Sequence, residues 1–179
     1  MTLAWAVTPD DDGDRRNHLD DSLAAFVEEE YPRLREFLRR ACFDANLAED
    51  ALQEAMIVTM EKWPVVSTYD QPLYWVRKTA WYILQNLQRD LRKKTHVPLE
   101  TAAPDLVELT TAHEAERLLE HLAAQLPDGH RAVLALMREG DSVELIAEQL
   151  GLAVTTVRTY QGQIRRKLRK LLEGDGGVA

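Results

Sequence analysis

The stretch DSVELIAEQLGLAVTTVRTYQGQIRRKLRKLL, residues 141–172, reads as two helices meeting across a short turn. Ser142 is placed to cap the first helix, in which Leu145, Ile146, Gln149 and Leu150 recur at helical spacing. Gly151 then supplies the left-handed residue that ends it. The second helix is expected to begin at Thr155 or Thr156, with Val157, Tyr160, Ile164, Leu168, Leu171 and Leu172 as its apolar positions. Small Ala147 permits a close crossing, Gly151 makes the turn four residues on, and Val157 six residues later fills the angle between the helices. That spacing is the pattern of a helix-turn-helix.

The second helix carries Arg158, Arg165, Arg166, Lys167, Arg169 and Lys170 and no acid. Thr155, Thr156, Thr159, Gln161 and Gln163 share its polar side. Such donors suit phosphates and base edges, and arginine is shaped to pair with guanine in the major groove. A solvated basic helix packed on a bundle is the plainer alternative.

Working outward, the 179 residues suffice for one domain or two small ones, and 45% apolar content is enough for a core. One cysteine, Cys42, excludes an internal disulfide, fits a reducing cytoplasm and reads as a buried thiol. The opening MTLAWAVTPDDDGD has no basic leader, so no signal peptide is expected, and no stretch has the length of a membrane span.

The net charge of −8 argues against a DNA binder until it is divided along the chain. Residues 1–60 hold 14 acids against 6 bases, 61–94 hold 3 against 7, 95–130 hold 7 against 1, and 155–172 hold 0 against 6. Two basic islands therefore sit in an acidic protein. Phosphate neutralisation supplies most non-specific affinity, so the free chain is expected to bind DNA weakly unless a larger partner presents the islands.

Residues 1–18 read as a disordered tail. From Ser22, the apolar positions Leu23, Phe26, Val27, Tyr31, Leu34, Phe37, Leu38 and Ala41 mark a helix that Pro32 should bend. A second helix is expected from an Asn46 cap, with Glu49 three residues on, to Trp63 before Pro64. Its inward positions are Leu47, Ala51, Leu52, Ala55, Met56, Thr59 and Trp63. Asp50, Gln53, Glu54 and Ile57 lie on the other side, where periodicity alone suggests an ordinary solvated face.

The third helix starts near Pro72 and buries Leu73, Val76, Ala80, Ile83, Leu84, Leu87 and Leu91. Trp75, Trp81 and Tyr82 are interleaved with Arg77, Lys78, Arg89, Arg92, Lys93 and Lys94. Rings among cations suit single-stranded nucleic acid, yet Trp75 and Trp81 could equally complete a core. Residues 95–111, with two prolines and no helical period, form the expected linker. Helices then resume at His113 and at Arg131, and the glycine-rich residues 174–179 read as a frayed end.

No phosphate loop, metal-spaced His/Cys cluster or nucleophile elbow is present. His113, Glu116, Glu120 and His121 fall near one another on one helix but lack a facing ligand set. No enzyme activity, metal or cofactor is expected.

In this order the chain resembles the extracytoplasmic-function (group 4) sigma factors of the bacterial sigma-70 family, across roughly residues 22–172. The segments AEDALQEA (48–55), PLYWVRKTAWYILQNLQRDLRKK (72–94) and residues 126–172 carry the resemblance. It implies an all-α fold of two small helical domains joined by a flexible linker: a region 2-like domain over 19–94 and a region 4-like helix-turn-helix over 112–173. It also implies a cytoplasmic transcription-initiation subunit with core RNA polymerase and promoter DNA as partners, an anti-sigma factor, and no membrane insertion. Asp50, Gln53, Glu54, Met56 and Ile57 would bind core polymerase. Trp75, Arg77, Lys78, Trp81, Tyr82, Arg89, Arg92 and Lys93 would take the melted minus-10 element. Thr155, Thr156, Arg158, Thr159, Gln161, Arg165 and Arg166 would read the duplex minus-35 element. Tyr82, Asn86, Leu145, Thr159 and Tyr160 depart from the family pattern, so promoter sequence is not implied. The competing reading is a stand-alone regulator, with a dimerisation or sensing bundle before its DNA reader.

Overall fold

A computed structural model describes residues 10–95 and 111–175, and these form seven helices with no strand among them. The first three are α1 (Asp10–Ala41), α2 (Ala45–Val66) and α3 (Pro72–Thr95). They pack through Leu34, Phe37 and Leu38 of α1, Ala51, Leu52 and Ala55 of α2, and Val76, Ala80 and Leu84 of α3, all fully buried. Alanines at 48, 51 and 55 keep the inner side of α2 small, which lets its neighbours approach closely. Trp63 leans on the Phe26 ring at 4.9 Å, and its indole N–H donates to Ser22 Oγ at 2.8 Å.

Local chemistry moves three expected boundaries in this first group. α1 already includes Asp10–Asn17, part of the stretch read as a tail; residues 1–9 lie outside the described set. The cap of α2 is Asp44 rather than Asn46, with Oδ1 accepting from the amides of Asn46 at 3.0 Å and Leu47 at 3.1 Å. A carboxylate at the positive end of a helix is favoured there. Glu49 is thereby released to accept from the Tyr31 hydroxyl and from Arg35, each at 3.4 Å. Pro64 lies inside α2 instead of beyond it. Proline removes only its own amide donor, and Val66 two residues on is buried, so packing carries the helix past it.

The remaining helices are α4 (Thr111–Ala124), α5 (Asp128–Arg138), α6 (Val143–Leu150) and α7 (Val154–Asp175). Here α5 begins at Asp128 rather than Arg131, and α7 runs to Asp175, into the expected frayed end. The expected linker falls almost wholly on residues 96–110, outside the described set. Ser142 Oγ accepts from the Leu145 amide at 3.2 Å and caps α6 as its position suggests. Gly151 has φ +63°, and the Leu152 amide closes back on the Ala147 carbonyl at 2.9 Å. This six-residue closure satisfies carbonyls that the end of α6 would leave free. Val157 is fully buried behind the turn, with Ile146, Leu150 and Ile164 around it.

The two helical groups meet directly, α5 lying along α1 and α6 along α3. Arg131 of α5 caps α1 from the other group: its Nε donates to the Ala41 carbonyl at 3.2 Å while its Cζ sits 4.8 Å from the Phe43 ring centre. A cation at a helix C-terminus meets the negative end of the dipole. Cys42 is buried beside this point, and desolvation pushes its thiol pKa up.

Candidate nucleic-acid interface

The outward side of α7 is built by its own packing. Val157 and Ile164 are buried, and Tyr160, Leu168 and Leu171 rest against the core. The helical period therefore leaves Thr155, Arg158, Thr159, Arg165 and Arg166 exposed, with Thr156 and Gln161 half-buried at the edges. Arg158 reaches Glu144 of α6 at 3.4 Å, but both side chains are 65% exposed, so this pair holds it weakly. Thr159 Oγ1 donates to the Thr155 carbonyl at 2.9 Å.

Two features of this side had no clear signal in the sequence. Gly162 stands on the exposed surface of α7, and nothing lies within 4 Å of where a Cβ would be. Glycine inside a helix costs about 0.5–1 kcal/mol relative to alanine, so the position is not chosen for stability. His130 of α5 stacks on Tyr160 at 3.9 Å and its Nε2 meets Gln163 Oε1, bracing one edge of α7. Gly129 sits close under the stack, where an added Cβ would come 3.3 Å from the Tyr160 ring.

The aromatic-basic helix α3 divides differently. Trp81 is 1% exposed and its indole N–H has no partner, while Trp75 is half-buried. Arg77 is 2% exposed and faces the second helical group. Its guanidinium donates to Gln149 Oε1 at 2.8 Å and to the Glu139 carboxylate, with Asp141 at 3.6 Å. Lys78 and Tyr82 lie against the α6–α7 turn at Gly151, where an added Cβ would be 2.1 Å from Tyr82 Oη and 3.3 Å from Lys78 Cε. Arg89, Arg92 and Lys93 are exposed near the end of α3. Arg89 donates to Asn86 at 2.9 Å, Arg92 pairs with Asp128, and Lys93 lies 3.7 Å from Asp90.

On α2, Asp50, Gln53 and Glu54 are exposed and Met56 is half-buried. Ile57 and Met60 are 58% and 59% exposed. The result is a stripe with acids at one end and uncovered apolar side chains at the other, and Met60 extends it beyond the expected set.

Among the described residues no group of three or more His, Cys, Asp or Glu side chains could hold a metal. Glu116 is occupied by Arg138 and His121 meets Gln125, while the His113 side chain lies outside the described set. No helix among the described residues is long and apolar enough to cross a membrane.

Residues 125–170, spanning α5 to α7, match the family model of bacterial regulatory proteins of the luxR family. A protein of Xanthomonas campestris pv. campestris named as a probable RNA polymerase sigma factor, RfaY, is 32% identical over 146 residues. That match covers 72% of this chain and 35% of the relative, so the chain spans about a third of the length of the curated relative it matches. The all-α chain is thus related to the bacterial sigma factors, and its DNA-reading unit is a helix-turn-helix of the luxR type.

Proposed function

We propose that this chain is an extracytoplasmic-function sigma factor, which binds core RNA polymerase, places α7 on a minus-35 element and uses α3 at a melted minus-10 element. The observation that carries the reading is the pairing of two open surfaces in one sigma-factor relative: the acidic and apolar stripe of α2 and the basic outward side of α7. On this reading the chain works in the cytoplasm, where polymerase is, under an anti-sigma partner, with no cofactor and no bond chemistry of its own. In vitro transcription with core enzyme on promoters selected from a random library tests it. Promoter-dependent initiation is expected, and no association with core enzyme at about micromolar protein would overturn it.

The luxR-type match favours a second reading, a stand-alone regulator with α1–α3 as a sensing or dimerisation bundle. Such a protein would bind duplex DNA tightly without polymerase, usually as a dimer. The charge of −8 opposes tight binding by the free chain.

Two substitutions on α7 probe its contact with DNA. Arg158→Ala should cost about 1–3 kcal/mol of promoter binding if the side chain pairs with a base, and only on promoters carrying that base. Equal loss on every minus-35 sequence would reduce Arg158 to a phosphate contact. Gly162→Ala should raise stability towards urea by up to about 1 kcal/mol, since the helix gains a methyl in open space. It should nevertheless weaken minus-35 binding, because the missing Cβ is what lets the helix backbone come close to the groove. Unchanged binding would show that α7 rides further out.

A further inference from the structure

The α4–α5 turn and the first turn of α5 grip one edge of α7 at two places. Lys167 Nζ donates to the Gln125 carbonyl, and nearer the start of α7 the His130 ring stacks on Tyr160 at 3.9 Å with an interplanar angle of 21°. Residues 160, 163 and 167 recur every three or four positions and so share this side of α7. His130 has little freedom there. Its amide donates to the Pro127 carbonyl at 2.9 Å, the residue is half-buried, and Tyr160 against it rests on the core.

The ring also fixes an amide. His130 Nε2 faces Gln163 Oε1, and an amide oxygen only accepts, so Nε2 carries the hydrogen and donates it. The oxygen of Gln163 is thereby turned towards α5, and its NH2 meets no acceptor among the described residues. Gln163 is exposed, with Thr159 four residues before it and Arg166 three residues after it, both on the outward side given to DNA above.

A glutamine free to turn reads adenine with both ends of its amide, the oxygen accepting from N6 and the nitrogen donating to N7. With the oxygen committed to His130, only the donor end is left. Guanine offers N7 and O6 as acceptors in the major groove and suits that end, whereas the N6 amino group of adenine opposes it.

We propose that His130 determines specificity without touching DNA. By holding Gln163 Oε1 it makes Gln163 a donor-only reader of the duplex minus-35 element, which selects guanine over adenine. The inference rests on the minus-35 role given to α7 above. It adds Gln163 to the reading side and makes His130 a positioning residue.

The test uses holoenzyme formed from the full chain and core enzyme, with promoters randomised across the minus-35 element and the bound DNA sequenced. Wild type should enrich guanine over adenine by about tenfold at one position, within the range of one good side-chain pairing with a base. Gln163→Ala should level that position. His130→Phe keeps an aromatic ring on Tyr160 but removes the Nε2 hydrogen, and it should move the same position from guanine to adenine. Urea unfolding followed by circular dichroism checks the fold of each variant. His130→Leu, which also lacks the donor, answers the same question should the phenylalanine variant not fold.

Guanine that persists in His130→Phe would overturn the inference. So would an equal loss of binding on every promoter, which is what a residue that only braces α7 gives, and so would a Gln163→Ala profile identical to wild type. Each of these leaves the sigma-factor reading standing, because the wild-type holoenzyme has then selected promoters. Failure of the wild-type chain to associate with core enzyme overturns that reading, and this inference with it.

Discussion

Trp81→Ala should cost about 3–5 kcal/mol of folding stability, within the range for emptying an aromatic site in a packed core. That is a large share of the roughly 5–15 kcal/mol that holds an ordinary domain together. Among the described residues Trp81 is the largest fully buried side chain, in the middle of α3. Urea unfolding followed by circular dichroism would read the loss as an earlier midpoint with little change in slope. Trp81→Phe should be far milder. The indole N–H has no partner, so its removal breaks no hydrogen bond and relieves a buried donor that is itself unfavourable. Trp81→Leu separates packing from base stacking, since leucine fills much of the space but offers no ring. If the leucine variant folds and initiates transcription as the phenylalanine variant does, Trp81 belongs to the core alone. A selective loss of promoter melting in the leucine variant would mean that the ring leaves the core to stack on DNA.

This ambiguity at Trp81 shows where the sequence could be read and where it could not. The helix-turn-helix was legible because every determinant is local: the cap at Ser142, the left-handed Gly151 and the plug at Val157 all lie within sixteen residues of one another. The cap of α2 was misplaced by two residues because Asp44 and Asn46 are both good caps. The choice falls to the carboxylate, which satisfies two amides at once. Pro64 was taken as a stop because the local rule is strong, but burial of Val66 outweighs one lost backbone bond.

The site divides along the same line. The outward side of α7 could be read from a run of bases opposed to an apolar stripe, since one helix supplies both. Arg77 could not be placed, because an arginine between aromatics looks the same whether it waits for phosphate or is already clasped. Its partners Glu139, Asp141 and Gln149 stand 62, 64 and 72 residues further along the chain, beyond the reach of any periodicity. Periodicity assigned the outer side of α2 to solvent because it weighs the acids. The structure leaves that side open, with Ile57 and Met60 exposed beside the acids.

Glu54→Lys should weaken binding to core polymerase by about 2–4 kcal/mol, the loss typical of a residue at the centre of an interface. The fold should hardly notice, because Glu54 is exposed and surface changes usually stay within about 0.5 kcal/mol. The effect has two separable parts. Glu54→Gln removes the charge and keeps the shape, so it should slow association and reduce its salt dependence while changing dissociation less. Ile57→Ala removes apolar contact beside it and should act mainly on dissociation, since the side chain is open in the free chain and only an interface would cover it. Competition with a labelled reference sigma factor for core enzyme reads the three affinities, and stopped-flow mixing with core enzyme at varied salt reads the rates. Wild-type affinity in both Glu54→Lys and Ile57→Ala would remove α2 from the polymerase interface and leave the basic α7 as the chain's sole supported contact. Loss in both, with stability unchanged, would place the anchor of the whole assembly on a helix that touches no DNA, and α7 would then act only at the distance from α3 that polymerase imposes.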